Sequence, residues 1–235
     1  MSTTAPALMS STSEIRAITF DAGGTLIEPW PSVGHIYAEV AARFGLSGIT
    51  AEALNERFAA NWQRLKNFNY TRAEWSKLVD ETFAGLVQKA PSQTFFSELY
   101  SHFGRAQSWR IFDDVPATLE ALASHQLRLA VISNWDERLG PLLSELGLDK
   151  YFEAIIISCD VGFCKPSPVI FEQAAGKLGL PHGRILHVGD SVTADIEGAK
   201  KAGFQTLELR RGAQKLSDGQ INTLRMLISH INPTH

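Results

Sequence analysis

The second half of this 235-residue chain alternates short apolar runs with segments of helical period, and this alternation limits the possible folds more than any other feature. Residues 127–133 (LRLAVIS) are apolar almost without interruption, as expected for a strand in a sheet that is covered on both faces. Strands that alternate with helices imply right-handed crossovers and a parallel sheet. We therefore predict an α/β fold with a doubly wound parallel sheet.

The predicted elements of this α/β part follow one another regularly along the chain. Strands are expected over 15–20, 127–133, 154–158, 185–188 and 206–209. Helices are expected over 116–124, 138–146, 168–178, 193–202 and 221–231. Because a chain of this length buries roughly 70–75% of its unfolded surface, its core needs neither disulfides nor a structural metal.

A run of helical segments without intervening strands follows the first predicted strand. These helices are expected over 35–44, 50–68, 71–89 and 92–103. We therefore predict an inserted all-helical domain at 28–110, a core made of 14–27 and 111–235, and a flexible tail at 1–13. The aromatic side chains of the insertion are expected to pack in its interior rather than to line a pocket. They are Phe58, Trp62, Phe68, Tyr70 and Trp75.

Polar residues occur where the predicted strands end. Asp21, Ser133 and Asp190 each come directly after a strand, and Lys165 lies on the loop that follows the strand at 154–158. The carboxyl ends of parallel strands meet at one edge of a sheet, where ligands bind, so these side chains should converge. Carboxylates, a hydroxyl and an ammonium group together suit a phosphate group and a divalent cation.

The three acidic residues near this edge can take two different roles, as nucleophile and as metal ligands. Asp21 can attack phosphorus, which replaces one difficult hydrolysis by two easier displacements. Asp190 and Asp195 offer the hard oxygen ligands that Mg²⁺ prefers. The cation would also relieve the repulsion between these carboxylates, which otherwise raises their pKa values.

The remaining candidate residues can bind the phosphate itself. Ser133 and Lys165 can bind the phosphate oxygens that are not transferred, and Lys165 adds a positive charge in the transition state. The backbone N–H groups of Gly23 and Gly24 can approach the same oxygens, because glycine has no side chain to block them. The sequence therefore predicts a phosphate site that is assembled from four separate segments.

Four short strings of this sequence resemble the ordered motifs of the haloacid dehalogenase-like (HAD) superfamily. They are FDAGGTL, VISN, CKP and HVGDSVTAD, and the resemblance runs from Ile15 to about Arg210. SNWDERL and TRAEW resemble the branch of the superfamily that is named for a rhythmically expressed gene. The resemblance implies a Rossmann-like core that carries a helical cap after the first strand.

The same resemblance implies a role for each residue of the motifs. Asp21 would be the nucleophile, and Mg²⁺ would be held by Asp21, Asp190 and the carbonyl of Gly23. Asp195 would be a direct or water-mediated ligand. Asn134 would lie beside the phosphate that Ser133 and Lys165 bind.

One position departs from the pattern of superfamily phosphatases, which usually read Asp-x-Asp in the first motif. Gly23 stands where the second Asp, the general acid and base, would be. Dehalogenases and phosphonatases of the superfamily also lack that second Asp. Their fourth motif, however, usually lacks the Mg²⁺ ligands that this chain keeps in Gly189-Asp190-Ser191 and Asp195. We therefore expect a Mg²⁺-dependent phosphatase of small metabolites with weakened acid–base catalysis.

Two alternatives remain open at this point. The chain could be a dehalogenase or phosphonatase that acts through Asp21, and activity that survives EDTA would favour dehalogenation. It could also bind a phosphorylated ligand with little turnover, which the glycine at position 23 would permit. Tight binding of such a ligand without product formation would favour the second alternative.

Charge and composition exclude several other classes of partner. Lys and Arg total 22 against 25 Asp and Glu, so a net charge of −3 gives no basic footprint for nucleic acid. No apolar run approaches the ~18 residues of a membrane span. Two cysteines suit a reducing compartment, so we expect a cytoplasmic protein whose partner is a small phosphorylated substrate. The sequence does not indicate an oligomeric state.

Overall fold

The computed structural model describes residues 14–231, and within that range eight strands and ten α-helices are formed. The strands are β1 (Ala17–Phe20), β2 (Ile27–Pro29), β3 (Trp109–Ile111), β4 (Arg128–Ser133), β5 (Ala154–Ile157), β6 (Ile185–Gly189), β7 (Gln205–Leu209) and β8 (Gln220–Ile221). The helices are α1 (Val33–Arg43), α2 (Ala51–Arg64), α3 (Arg72–Phe83), α4 (Phe96–His102), α5 (Val115–Ser124), α6 (Leu139–Glu145), α7 (Ser158–Val161), α8 (Pro168–Leu178), α9 (Gly198–Lys201) and α10 (Met226–Ile231).

A six-stranded parallel sheet in the order β5-β4-β1-β6-β7-β8 forms the centre of the molecule. Apolar side chains cover both of its faces. Phe20 and Val131 belong to a buried cluster with Leu119 of α5, and Ile132 belongs to a second cluster with Phe171 of α8. The α/β prediction is therefore confirmed, and the strand that ends at Asp21 lies between β4 and β6.

A helical unit, α1 to α4, follows the first strand and has a buried cluster of its own, which includes Tyr37, Leu54 and Phe83. Two of its helices end well before the predicted residue: α2 ends at Arg64 rather than at 68, and α3 ends at Phe83 rather than at 89. The chain leaves the helical region of backbone space in both connections. The residues with positive φ there are Asn67 (59°), Tyr70 (60°) and Gly85 (76°). Positive φ is incompatible with a continued right-handed helix.

Two short strands that the sequence did not predict join the helical unit to the sheet. β2 and β3 pair antiparallel, with Ile27 opposite Ile111 and Pro29 opposite Trp109. Both passages of the chain into and out of the helical unit therefore run side by side. Three residues are too few for the two-residue period of a strand to be recognised in a sequence.

The last two predicted helices are only partly correct. Residues 220–221 form β8 beside β7, so the helix predicted over 221–231 begins at Met226 instead. The helix predicted over 193–202 is a π-helical turn at Val192–Glu197 that continues into α9. The predicted tail at 1–13 lies outside the described residues. Among the described residues, no helix is long and apolar enough to cross a bilayer.

The contact between α1 and α2 allows a test of the helical unit. The Gly34 N–H donates to Asn55 Oδ1 at 2.7 Å, and a Cβ at Gly34 would lie 2.1 Å from the carbonyl oxygen of Ala51. We expect Gly34→Ala to lower the free energy of unfolding by ~1–3 kcal/mol, because the helices must separate. The control Gly176→Ala in α8, where a Cβ meets nothing within 4 Å, should be neutral or stabilising by up to ~1 kcal/mol. Urea unfolding measures both, and equal effects would contradict this packing.

Candidate active site

The carboxyl ends of the central strands bring three of the predicted residues into direct contact. Ser133 Oγ donates to Asp21 Oδ1 at 3.0 Å, and Lys165 Nζ donates to the same oxygen at 2.6 Å. Lys165 Nζ also donates to Asp195 Oδ1 at 2.5 Å and to the carbonyl of Ile132 at 2.9 Å. The ammonium group is buried, so these three acceptors replace its water.

Asp195 lies in the π-helical turn, where both of its carboxylate oxygens accept hydrogen bonds. Its Oδ2 accepts the N–H of Ser191 at 2.9 Å, and His187 Nε2 lies 3.2 Å from Oδ1. Although burial raises its pKa, Lys165 and His187 hold the pKa of Asp195 well below the ordinary value. Asp195 is therefore a carboxylate that keeps Lys165 in place.

His187 is a site residue that the sequence analysis missed. It lies in β6 with no exposed surface, and its Nδ1 is 2.8 Å from the Thr19 hydroxyl. Burial lowers the pKa of His187, so the ring is neutral near pH 7 and can donate from Nε2 to Asp195. The only signal in the sequence was a polar residue inside an otherwise apolar strand.

Asp190 faces the cavity from the end of β6. Its carboxylate and those of Asp21 and Asp195 have oxygens within 4.8 Å of one another. Although Asp190 is open to solvent on one side, desolvation by the cavity walls and the charges of Asp21 and Asp195 raise its pKa to about 7. Burial also raises the pKa of Asp21. Three carboxylates thus face one ammonium group and a neutral imidazole, and this excess negative charge fits a divalent cation.

Close packing requires glycine at position 24 of the first motif and leaves little room for a side chain at position 23. Gly24 has a φ of 81°, and a Cβ there would lie 2.5 Å from Asp190 Oδ2. The Gly24 N–H donates to the carbonyl of Ile27 at 2.8 Å, so it is not the free phosphate donor that we expected. A Cβ at Gly23 would lie 3.1 Å from Cζ3 of Trp135, so the indole ring fills the space beside this glycine.

Asn134 fixes the loop that carries Lys165. Its Oδ1 accepts the Lys165 N–H at 2.6 Å, and its Nδ2 donates to the Lys165 carbonyl at 3.0 Å. The phenol of Tyr70, which comes from the helical unit, lies beside the side chain of Asn134. Burial raises the pKa of Tyr70 to about 12, so this phenol keeps its proton at neutral pH.

The expectation that the aromatic residues of the insertion form only its interior is wrong. A cavity of about 470 Å³ extends from Asp21 and Lys165 into the helical unit. Its walls include Phe58, Trp62, Tyr70 and Trp75. Phe68 is not part of the wall and packs against Trp75, with ring centroids 4.8 Å apart. Helical spacing alone does not distinguish a ring that faces a core from one that faces a cavity.

The raised pKa of Asp190 predicts how the metal-free protein depends on pH. The folded carboxyl takes up its proton near pH 7, whereas an ordinary Asp does so near 3.8. Its charge therefore destabilises the folded state above pH 7, and this effect is lost as the pH falls toward 3.8. We expect Asp190→Asn to unfold at a higher temperature than wild type at pH 8 and the gap to narrow by pH 5. A control, Asp113→Asn at an exposed position, should show no such trend in thermal unfolding.

Comparisons with known proteins agree with this geometry. A family model described as haloacid dehalogenase-like hydrolase matches residues 15–203. The Rhythmically expressed gene 2 protein of Drosophila melanogaster is 32% identical over 219 residues, which cover 84% of each chain. The phosphoglycolate phosphatase of Yersinia pestis is 31% identical over 210 residues, covering 84% of this chain and 82% of that protein.

Solved structures share the whole fold. The structure of YfnB from Bacillus subtilis, bound to magnesium, matches with a TM-score of 0.75 and 19% identity and covers 94% of this chain and 100% of that one. Several 2-haloacid dehalogenases match as well, so the fold alone does not distinguish hydrolysis of a phosphate ester from dehalogenation. The match to the rhythmically expressed protein confirms the predicted branch. The chain belongs to the haloacid dehalogenase-like hydrolases.

Proposed function

We propose that this protein is a Mg²⁺-dependent phosphatase of small phosphorylated metabolites that acts through an aspartyl-phosphate at Asp21. The observation that carries the proposal is the charge balance of the site: three clustered carboxylates face one ammonium group. A site that performs dehalogenation through one carboxylate has no need of this cluster. The similarity to a phosphoglycolate phosphatase supports a phosphate ester as the substrate.

Each residue has a defined part in this reaction. An Oδ atom of Asp21 forms a bond to phosphorus while the ester P–O bond breaks and the alcohol oxygen leaves with the bonding electrons. Ser133 and Lys165, which now contact Asp21, would hold the other phosphate oxygens. Asp195 holds the Lys165 ammonium group beside them. Water then cleaves the acyl phosphate, which returns the Asp21 carboxylate and releases phosphate.

The donor set of the site fits Mg²⁺. Asp21, Asp190 and the carbonyl of Gly23 are the proposed ligands, since carboxylate and carbonyl oxygens suit this ion. Asp195 fits the water-mediated role better than the direct one, because both of its oxygens already accept hydrogen bonds. When bound, the ion would supply positive charge against the combined charge of carboxylates and phosphate.

The role of Asp21 as the nucleophile can be tested by substitution. We expect Asp21→Asn to lower the hydrolysis of 4-nitrophenyl phosphate by at least ~10⁴-fold, because an amide does not attack phosphorus. The variant should stay folded, as near-ultraviolet circular dichroism would show. The control Asp113→Asn changes an exposed carboxyl and should keep its activity. Retained hydrolysis in Asp21→Asn would remove Asp21 from its role.

The same assay separates the phosphatase from its alternatives. EDTA should abolish hydrolysis and Mg²⁺ should restore it. Release of chloride from 2-chloropropionate that persists in EDTA would instead favour a dehalogenase. Phosphate binding without turnover of any ester would favour a binding protein.

The missing acid at position 23 predicts a strong dependence on the leaving group. General acid catalysis contributes typically ~10²–10⁴ in rate, and a leaving alkoxide needs it whereas a nitrophenolate does not. We therefore expect kcat/KM to be far higher for 4-nitrophenyl phosphate than for ethyl phosphate. Two variants test whether the missing acid causes this preference: Gly23→Asp alone, and Gly23→Asp combined with Trp135→Leu. The second variant is needed because the ring of Trp135 obstructs a side chain at position 23.

The double variant should raise the ratio of alkyl to aryl turnover more than Gly23→Asp alone. Trp135→Leu alone is the control for lost ring contacts with the aryl ester, and the double variant should raise the ratio above the value that this control gives. If wild type already hydrolyses both esters equally fast, another group protonates the leaving oxygen. Tyr70 would then be the first residue to examine.

A further inference from the structure

The cavity beside Asp21 is unusual in the uniformity of its walls. Trp62, Tyr70 and Trp75 line it from the helical unit, and Trp109 and Trp135 line it from the opposite side. Its volume of about 470 Å³ lies within the ~300–1,000 Å³ of small-molecule sites. The space that remains beyond a phosphate group is therefore bounded mainly by rings.

These rings hold one another in fixed orientations. Trp62 stacks on Trp75 with ring centroids 5.8 Å apart and an interplanar angle of 11°. Phe58 also stacks on Trp62, with centroids 5.9 Å apart and an angle of 15°. On the opposite wall, Trp109 and Trp135 lie 5.0 Å apart. A wall of rings in mutual contact is a preorganised surface for another flat, apolar group.

The cations in the cavity are already paired with acceptors. Among the described residues that line it, the cations are Lys165 and Arg138. Arg138 donates to both oxygens of Asp136 (Nε at 2.8 Å and Nη2 at 2.6 Å) and to the carbonyl of Tyr100 at 2.7 Å. Lys165 is held by the carboxylates of the candidate active site. A further cation, Arg72, lies over the ring of Tyr100 but outside the lining.

This pairing has a consequence for the substrate. A carboxylate or second phosphate in the aromatic part of the cavity would lose its water without gaining a free cation, which is unfavourable. An uncharged ring there would instead bury apolar surface against other rings. The cavity thus discriminates against the doubly anionic type of ester that the relative from Yersinia pestis is named for.

We propose that the substrate is the phosphate ester of an uncharged alcohol that bears an aromatic ring, with the ring between Trp62, Trp75 and Trp135 and the phosphoryl group at Asp21. This inference rests on the proposed function, since it names the substrate class of the same site. The ring recognition is separate from the leaving-group effect of Gly23, which depends on the pKa of the alcohol and not on its shape.

The test uses two esters that differ in one substituent. Benzyl phosphate and phosphoglycolate both release a primary alkoxide, but one carries a phenyl ring where the other carries a carboxylate. With saturating Mg²⁺ we expect kcat/KM to be at least tenfold higher for benzyl phosphate. An equal or higher value for phosphoglycolate would overturn the inference, and turnover of acetyl phosphate in the same experiment would show that the phosphatase itself stands.

Variants of the wall test the residues that carry the proposal. Trp75→Leu should lower kcat/KM for benzyl phosphate at least fivefold relative to acetyl phosphate. Trp62→Leu, which changes a ring that is 37% exposed, should act in the same direction if Trp75→Leu does not fold. Phe44→Leu is the control, because Phe44 is a half-exposed ring of the helical unit outside the cavity. Equal effects of all three would contradict ring recognition.

A binding measurement keeps the inference testable without turnover. In 2-phenylethylphosphonate and 3-phosphonopropionate a methylene group replaces the ester oxygen of the two substrates. Calorimetry with Mg²⁺ should give at least tenfold tighter binding of the phenyl compound. That result without hydrolysis of any ester would support the ring site while the phosphatase fails. Equal binding of both compounds, or binding of neither, would overturn the ring site.

Discussion

The Lys165 ammonium group is the interaction on which the site depends. It joins three separate parts of the sheet edge: Asp21 after β1, the carbonyl of Ile132 in β4, and Asp195 in the π-helical turn after β6. A buried charge is stable only when it is paired and fully hydrogen-bonded, so the lysine and its two carboxylates require one another. The residues around them, Asn134 and His187, serve to fix the lysine loop and Asp195.

Much of this arrangement follows from the sequence because it follows from topology. Asp21, Ser133 and Asp190 each come after an apolar run, and the ends of parallel strands meet at one edge. The alternation of strands and helices therefore predicts both the fold class and the neighbourhood of these residues. The hydrogen bonds between these side chains cannot be predicted from the topology in the same way. That Ser133 contacts Asp21, and that Lys165 lies between two carboxylates, depends on side-chain positions that no spacing contains.

The parts that sequence reasoning missed depend on contacts between distant segments. β2, β3 and β8 have two or three residues each and are strands only because a partner lies beside them. The place of Tyr70 beside Asn134 joins segments 64 positions apart, and the contact of Trp135 with Gly23 joins segments 112 positions apart. Local pattern determines that a ring is buried, but the fold determines whether it faces a core or a cavity.

The paired strands β2 and β3 also determine how the helical unit can move. Both chain passages are joined by backbone pairing, and the side chains of Glu28 and Arg110 form an ion pair across them. Two separate tethers would let the helical unit twist, whereas paired strands would restrict its movement to bending of the ribbon, which can act as a single hinge. Trp109 at its end touches Trp135 beside Gly23. Bending of the hinge therefore displaces a wall of the cavity, so that access for a substrate and the shape of the space next to the nucleophile change together.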